Sequence, residues 1–485
     1  KKTYLHSKID PERERDSLRS QIDSIRQDTV IFYGSGLGYS LYPVTQNSHI
    51  KKIIIIERLQ NIETSLCPYV NLIQKNTCTV EILSGKDSIA LEKAFSEVID
   101  FSETKGIAFV DHPASMRLFP EYYSLAKSVV DTVIRNKAGN EATKRSFSGA
   151  FLRNAIRNIG ALDKMSSLSS IQNVWKGFPC IIVSSAPSID YYIDTIKENE
   201  KKLFIIAVDS AYPILLSKKI RPDLIISIDP QPWTKEHLLA CDLEIPVIIS
   251  LTAQKHHSKK TFLSMNSHPV SQIIDHFNPG IGSADSHTGT VAGDSIVTAC
   301  LLGSSRIYLA GIDFSFPQRK IYSKDSAYNH RFSFIFNNRL NSVENQHEKY
   351  IRKSSSSLRI ENVPTRQSFL QYRDSVIKLL STLDTINIYH LKGKGLSIPG
   401  STTISSPEEA SKYFSEEKAI STRSTIQKQI LASPSLIHLE KRKLIRLFNQ
   451  KGLIDELIRA SLNDTDTIKK TSKYHTLFDM ILRYE

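Results

Sequence analysis

The sequence predicts an α/β protein: a Rossmann-like N-terminal unit, a central doubly wound parallel sheet and a helical C-terminal region. Three observations lead there. Short apolar runs recur through the chain, among them "KKIIIIE", "CIIVSS", "LFIIAVDS", "DLIISIDP", "PVIISLTA" and "RIYLAGIDF". They are rich in Ile and Val with little alternation, as expected of strands buried on both faces of a parallel sheet. Segments of helical periodicity separate them, and strands alternating with helices argue parallel α/β units.

The chain has 485 residues, 40% apolar and 23% charged, with a formal net charge of +13. That is a globular composition with room for two to four domains. No apolar run approaches the ~20 residues of a membrane helix. The chain opens "KKTYLHSKIDPERERD", without a signal-peptide core and without an initiator Met, which leaves room for residues before Lys1. The cysteines Cys67, Cys78, Cys180, Cys241 and Cys300 are scattered and form no C-x-x-C pair. A reducing cytoplasm fits, and neither a disulfide framework nor structural zinc is expected. Basic residues are spread over the whole chain with no aromatic-interleaved stripe, so nucleic acid is not an expected partner. Solvated surface is the plain reading of the charge, with an anionic small molecule or acidic partner as the alternative.

The first unit, residues 1–165, begins with a charged helix over Pro11–Gln27. In "TVIFYGSGLGYSLYP" a strand then meets Gly34, Gly36 and Gly38, and the strand "IKKIIIIE" ends in Glu57. Glycines allow a tight turn into a helix N-terminus where phosphate can approach. Gly-x-Gly-x-Gly is not the dinucleotide fingerprint, although Glu57 stands where a ribose contact would. The turn reads as the shape of a cofactor site, and no cofactor is expected. The strand "GIAFVDHP" and long amphipathic helices complete the unit. "MSSLSSIQNVWKGFP" reads as a linker.

The central unit, residues 175–400, opens with "CIIVSSAPSID". Ser184, Ser185 and Ala186 end its first strand, and Pro187 and Ser188 start a helix whose free N–H groups suit an anion. Three further strands deliver Asp209 with Ser210, Asp229, and Asp313. Each carboxylate could hold a ribose hydroxyl, a metal or a helix N-terminus. "DSHTGTVAGD" is another small-residue turn into a helix and presents Thr288, Gly289 and Thr290. Ligands of such sheets lie beyond the carboxyl ends of the strands. The polar stretch 315–365 reads as a lid, a binding loop or partly disordered. A helical region, 401–485, follows.

On these motifs the chain resembles the motility-associated factor (Maf) flagellin glycosyltransferases, whose central domain is similar to 6-hydroxymethylpterin pyrophosphokinases. "GTVAGDSIVTACLLGSSRIYLAGIDF" and "APSID" also look like segments of bacterial sialyltransferases that use CMP-sialic acid. "GSGLGYSL", "IIAVDSAYPILLSKKIRPDLIISIDPQP" and "VPTRQSFLQYRD" are similar to Maf segments. The resemblance covers roughly residues 25–400. It implies transfer of a nonulosonic acid, pseudaminic or legionaminic in type, from its CMP ester to flagellin Ser or Thr. Thr290 and Ser188 match the family's donor-site Thr and turn Ser. Ser184-Ser185-Ala186 departs from the usual glycine-rich lead-in, and Asp209 stands where the sialyltransferases place an Asn near the cytidine.

Breaking a CMP–sugar bond needs the leaving phosphate stabilised and the acceptor hydroxyl deprotonated. In "SFPQRKIYSKDSAYNHRF", Arg319, Lys320, Tyr322 and Tyr328 are candidates to reach phosphate, and His330 is the candidate base. The triplet Asp464-Thr465-Asp466 reads as a helix cap and His256-His257 as surface, so metal-independent transfer is expected, and the leading reading is an inverting glycosyltransferase. Two rivals remain. One is an ATP- and Mg²⁺-dependent pterin pyrophosphokinase with the strand-end aspartates as ligands. The other is a non-catalytic flagellin-binding protein, which the missing glycines of "SSAPSID" favour.

Overall fold

The computed structural model describes residues 4–433 except 7–8, 11–15, 17, 75–77, 100–103, 257, 337, 339–340, 355–357, 384 and 418–422. Asp464, Asp466, His257 and the helices expected beyond 433 lie outside the described residues. The chain divides into two compact units, Lys1–Ser146 and Phe147–Glu485.

The first unit is a four-stranded parallel sheet of β1 (Thr29–Tyr33), β2 (Lys52–Glu57), β3 (Thr79–Ser84) and β4 (Ile107–Asp111), in the order β3-β2-β1-β4. Its centre is buried on both sides. Val30, Phe32, Ile53 and Ile55 pack against Leu66 and Ile73 on one face. Ile31, Tyr33, Ile54 and Ile56 pack against Leu91, Phe95 and Tyr123 on the other. Two-sided burial is why these runs show no alternation.

Among the described residues, the second unit is built on a nine-stranded sheet. Its strands are β5 (Ser166–Ser167), β6 (Pro179–Val183), β7 (Phe204–Val208), β8 (Leu224–Ser227), β9 (Val247–Ser250), β10 (Thr261–Ser264) and β11 (Arg306–Ala310). Beyond the small hairpin of β12 (Arg359–Ile360) and β13 (Val363–Pro364) come β14 (Asn387–Leu391) and β15 (Thr402–Ile404). The order is β15-β14-β11-β6-β7-β8-β9-β10-β5, and every pairing within the sheet is parallel. From β6 the chain winds outward through β7 to β10, then returns to place β11 on the other side of β6. The α/β class and the doubly wound central sheet are thus as predicted. The reversal between β6 and β11 opens a crevice at the carboxyl edge, where such sheets bind ligands.

Several stretches differ from the sequence reading. "MSSLSSIQNVWKGFP" is not a linker: it supplies edge strand β5, and Trp175 is fully buried, 4.4 Å from the Phe204 ring. The sheet continues past residue 400 with β15, and the helix Pro407–Glu416 buries Ala410 and Phe414. The polar 315–365 segment is built from the helices Ala327–Ile335 and Val343–Ser354 and the β12–β13 hairpin. It is anchored by buried Phe316 packed with Ile321 and Ile351, and by a 2.7 Å contact between His347 Nε2 and Asn329 Oδ1. Asn154 and Asn158, on the final turns of the helix Pro120–Ile159, donate to the carbonyls of Pro230, Leu251, Thr252 and Ala253. Those bonds fix the loops that leave β8 and β9 at the carboxyl edge.

Candidate functional site

The two glycine-like turns have different fates. In the first unit Gly34, Gly36 and Gly38 all take positive φ, so the chain does make the tight turn that the sequence suggested. Glu57 does not face a ribose. Its Oε2 accepts the N–H groups of Ser35 (2.9 Å) and Gly36 (3.2 Å), and its Oε1 accepts the Tyr123 hydroxyl (2.8 Å) and the Arg58 N–H (2.9 Å). His6 Nε2 accepts the Leu37 N–H at 2.7 Å. The donors that a phosphate would need are bonded to the chain's own side chains. Glu57→Ala would leave this group of buried donors unpaired, for an expected loss on the order of 3 kcal/mol. Hydrogen exchange across residues 30–40 reads it directly: the Ser35 and Gly36 amides, slow in the parent, should exchange fast in the variant.

In the second unit the carboxyl edge gathers most of the candidate residues. Ser184 N–H donates to Ala310 O and Ala186 N–H to Gly311 O, which lock the first turn onto β11. Ser185 Oγ lies 2.9 Å from Ser210 Oγ, and its carbonyl accepts the N–H of Ser323 at 2.9 Å. The turn is therefore joined both to the end of β7 and to the 315–365 segment. Asp313 Oδ2 accepts the Ser188 N–H at 2.9 Å. It thus serves the start of the helix Ile189–Glu198, and burial pushes its carboxyl up to about 6. Gly393 and Gly395 pack on Ser188 and Asp313 so closely that a Cβ on either would come within 2.7 Å of them. Among the described residues, Asp313 Oδ1 and Ser188 Oγ are buried there with no hydrogen-bond partner. These two residues shape the crevice from beneath the 393–395 loop.

Asp209 is 4% exposed. Its Oδ1 accepts the Ser210 N–H (2.6 Å) and its Oδ2 accepts the Ser227 hydroxyl (2.6 Å). Ser227 Oγ also lies 2.7 Å from His256 Nε2. His256, expected at the surface, is buried in this network because its ring closes the bond chain at the ends of β7 and β8. Asp229 accepts both the backbone and the side-chain N–H of Gln231, at 2.8 and 3.3 Å, and burial raises its carboxyl.

At the N-terminus of the helix Val291–Leu302 stands a ladder of hydroxyls. Ser286 Oγ, Thr288 Oγ1 and Thr290 Oγ1 follow one another at 2.8 and 3.0 Å. Thr290 caps the helix by accepting the Gly293 N–H at 3.0 Å. Asp294 accepts from Ser286, and burial pushes its carboxyl up to about 7. Gly289 makes the turn with φ +72° beside the Tyr372 ring.

The three residues nominated for catalysis are placed unequally. Tyr322 is half-buried, its ring 5.0 Å from Tyr328, and burial raises its hydroxyl to about 12, with Tyr350, Arg366 and Asp229 close enough to act on it. Arg319 is exposed and donates from Nε and Nη2, one edge of its guanidinium, to the two oxygens of Glu348. His330 is exposed on the helix Ala327–Ile335. Sequence reasoning missed Ser227, His237 and Arg366. Arg366 stacks 4.1 Å over Phe369 and donates to the Tyr350 hydroxyl. It lies in the quoted "VPTRQSFLQYRD", and His237 lies eight residues after Asp229, so position relative to strand ends could have flagged both. Among the described residues, no three His, Cys, Asp or Glu side chains gather as metal ligands would.

Fold and site define a doubly wound α/β protein with a hydroxyl- and carboxylate-lined crevice at the carboxyl edge of its second sheet. Residues 153–319 match the family described as 6-hydroxymethylpterin diphosphokinase MptE-like. An uncharacterized protein of Treponema pallidum (strain Nichols) is 28% identical over 182 residues, which are 36% of this chain and 38% of that protein. The match thus spans well under half of that relative's length. A solved structure, the Maf glycosyltransferase from Magnetospirillum magneticum AMB-1, aligns over 94% of this chain and 72% of that one, with a TM-score of 0.55 and 15% identity. The shared property is the fold, and both likenesses agree with the resemblance seen in the motifs.

Proposed function

We propose that the protein is a glycosyltransferase that moves a nonulosonic acid from its CMP ester to Ser or Thr of flagellin, with inversion and without a metal. One observation carries this reading. The crevice joins small-residue turns, the capped starts of two helices and a row of hydroxyls on one side to tyrosines and Arg366 of the 315–366 segment on the other. In this reading the nucleotide lies over Ser184, Ser185, Ala186, Asp209, Ser210 and Asp229. The departing phosphate meets Thr288, Gly289, Thr290 and Tyr322, whose hydroxyls and N–H groups offset its growing charge. Ser188 and Asp313 hold the turn beneath. His330 and Arg319 remain candidates from the segment that covers the site. The fold of the Magnetospirillum glycosyltransferase supports the class. Among the described residues no helix is long and apolar enough to cross a membrane, and a cytoplasmic location is part of the proposal.

The match to the pterin diphosphokinase family favours a second reading, in which Asp209 and Asp229 would serve ATP and Mg²⁺. Calorimetric titration separates the two. CMP is expected to bind in EDTA, with micromolar affinity or better. Binding of ATP only with Mg²⁺ would support the kinase instead, and silence from both nucleotides would support a flagellin-binding protein without catalysis.

A further inference from the structure

We propose that His237, oriented by Asp209, is the base that takes the proton from the acceptor hydroxyl. The inference rests on the glycosyltransferase reading above and goes beyond it in naming the proton acceptor.

His237 ends the short helix Thr234–His237, which follows the proline-rich turn after β8. Its side chain is 17% exposed, and Nδ1 faces Asp209 Oδ1 at 3.4 Å. Asp209 cannot turn away. Ser210 N–H holds one of its oxygens and the Ser227 hydroxyl holds the other, while Ser227 is itself held by His256. A carboxylate fixed behind one ring nitrogen keeps the proton on that nitrogen and leaves the other a free base. Nδ1 makes no hydrogen bond among the described residues, and the proposal requires this contact to shorten when substrate fills the site, as catalytic bonds commonly do.

The surroundings place this pair in the crevice. Asp229, from the end of β8, is the second carboxylate acting near His237. Tyr322 of the covering segment is within electrostatic reach of Asp229. Arg331 of the helix Ala327–Ile335 stacks 4.5 Å over Trp233 and pairs with Glu236, the residue next to His237. The carboxylates acting on the imidazole are therefore Asp209 and Asp229, while Glu236, its neighbour in sequence, pairs with Arg331. His330, by contrast, is exposed, and among the described residues no carboxylate stands at ion-pair distance from its ring.

In the transfer step the acceptor O–H bond breaks and its proton passes to His237 Nε2. The acceptor oxygen forms a bond to the anomeric carbon. The bond from that carbon to the phosphate oxygen breaks, and its electron pair leaves with CMP. His237 later returns the proton to solvent.

The test compares His237→Gln, His237→Ala and His330→Ala in the full chain. Readouts are thermal midpoint, CMP affinity by calorimetry, and transfer rate against pH. Both His237 variants are expected to melt and bind CMP as the parent does, while kcat falls about 100-fold or more with little change in the donor KM. The acidic limb of the kcat–pH profile should vanish, and added imidazole should restore part of the rate to His237→Ala. A positioning role alone would not produce rescue. If His237→Gln keeps more than a tenth of the parent rate, or if His330→Ala is the larger loss, the assignment to His237 is wrong. A parent that binds no CMP and transfers no sugar would remove the glycosyltransferase reading itself, and this inference with it.

Discussion

Arg423→Ala is expected to lower the stability of the second unit by about 3–5 kcal/mol, the usual cost of removing one partner from a buried ion pair. Asp223 lies just before β8 and is 2% exposed. The Arg423 guanidinium meets both of its oxygens, at 3.0 and 2.7 Å, and Gln427 adds a further bond. Burial pushes the Asp223 carboxyl above its ordinary value, and Arg423 pulls it part of the way back. With the cation gone the carboxyl rises further. A raised folded value means that the proton favours the folded state, an advantage lost as pH rises through that value. The deficit of the variant should therefore be largest near neutral pH and shrink as the solution is acidified. Urea unfolding at pH 7.5 and pH 5 measures both points. Adding Asp223→Asn to Arg423→Ala should recover part of the loss, because a neutral amide tolerates burial better than an unpaired charge. A deficit below about 1 kcal/mol, the range of exposed pairs, would show that Asp223 is solvated.

The same contacts bear on what the chain after residue 405 does. Glu417 accepts the Tyr308 hydroxyl at 2.9 Å and pairs with Arg306 at 3.0 Å. Ile426 and Ile430 are buried in the core beneath the sheet. Truncation at 405 would expose that core and strand Asp223. A loss of binding to the proposed flagellin acceptor in such a truncation would report unfolding rather than an acceptor surface. Point substitutions on exposed faces are the sounder probe.

The architecture was legible because two-sided burial writes itself into strands as runs of Ile and Val. "CIIVSS" and "RIYLAGIDF" named the central strands without help from partners. Trp175 was hidden for the opposite reason: serines and a Gly-Phe-Pro turn flank it, so local composition said linker while tertiary packing made it core. The site divided in the same way. Asp209 and Thr290 stand at strand and helix ends, which sequence can place. His237, Ser227 and Arg366 acquire their meaning from neighbours brought in across the fold. Glu57 shows the limit most clearly, since its spacing fits a ribose contact while its carboxylate closes the turn from inside.

The missing glycines of "SSAPSID" have a structural answer, and it yields the second large prediction. The first turn of the central sheet borrows its space from β11. Gly311 follows that strand with φ +70°, and a Cβ there would sit 2.2 Å from the Ser184 carbonyl oxygen and 2.8 Å from its carbon. Gly311 also receives the Ala186 N–H on its own carbonyl at 3.1 Å. Alanine at 311 would meet both a left-handed backbone, costing about 1–3 kcal/mol, and a backbone overlap that no side-chain rotation relieves. Gly311→Ala is therefore expected to destabilise the unit by on the order of 3 kcal/mol. It should also move Ser184, Ser185 and Ala186, the residues proposed to meet the nucleotide, and weaken CMP binding by about tenfold or more, as one displaced hydrogen-bonded turn implies. Gly303→Ala is the control. Gly303 has φ +88° and ends the helix Val291–Leu302, away from the carboxyl edge, with its nearest contact at Lys176 Cα, 3.0 Å off. It should lose stability while the folded protein keeps its CMP affinity. Equal losses of affinity in the two variants would mean that the nucleotide site is not built on the Ser184–Ala186 turn, whereas loss at 311 alone would show that the glycine these motifs lack in their own turn is supplied by the neighbouring strand.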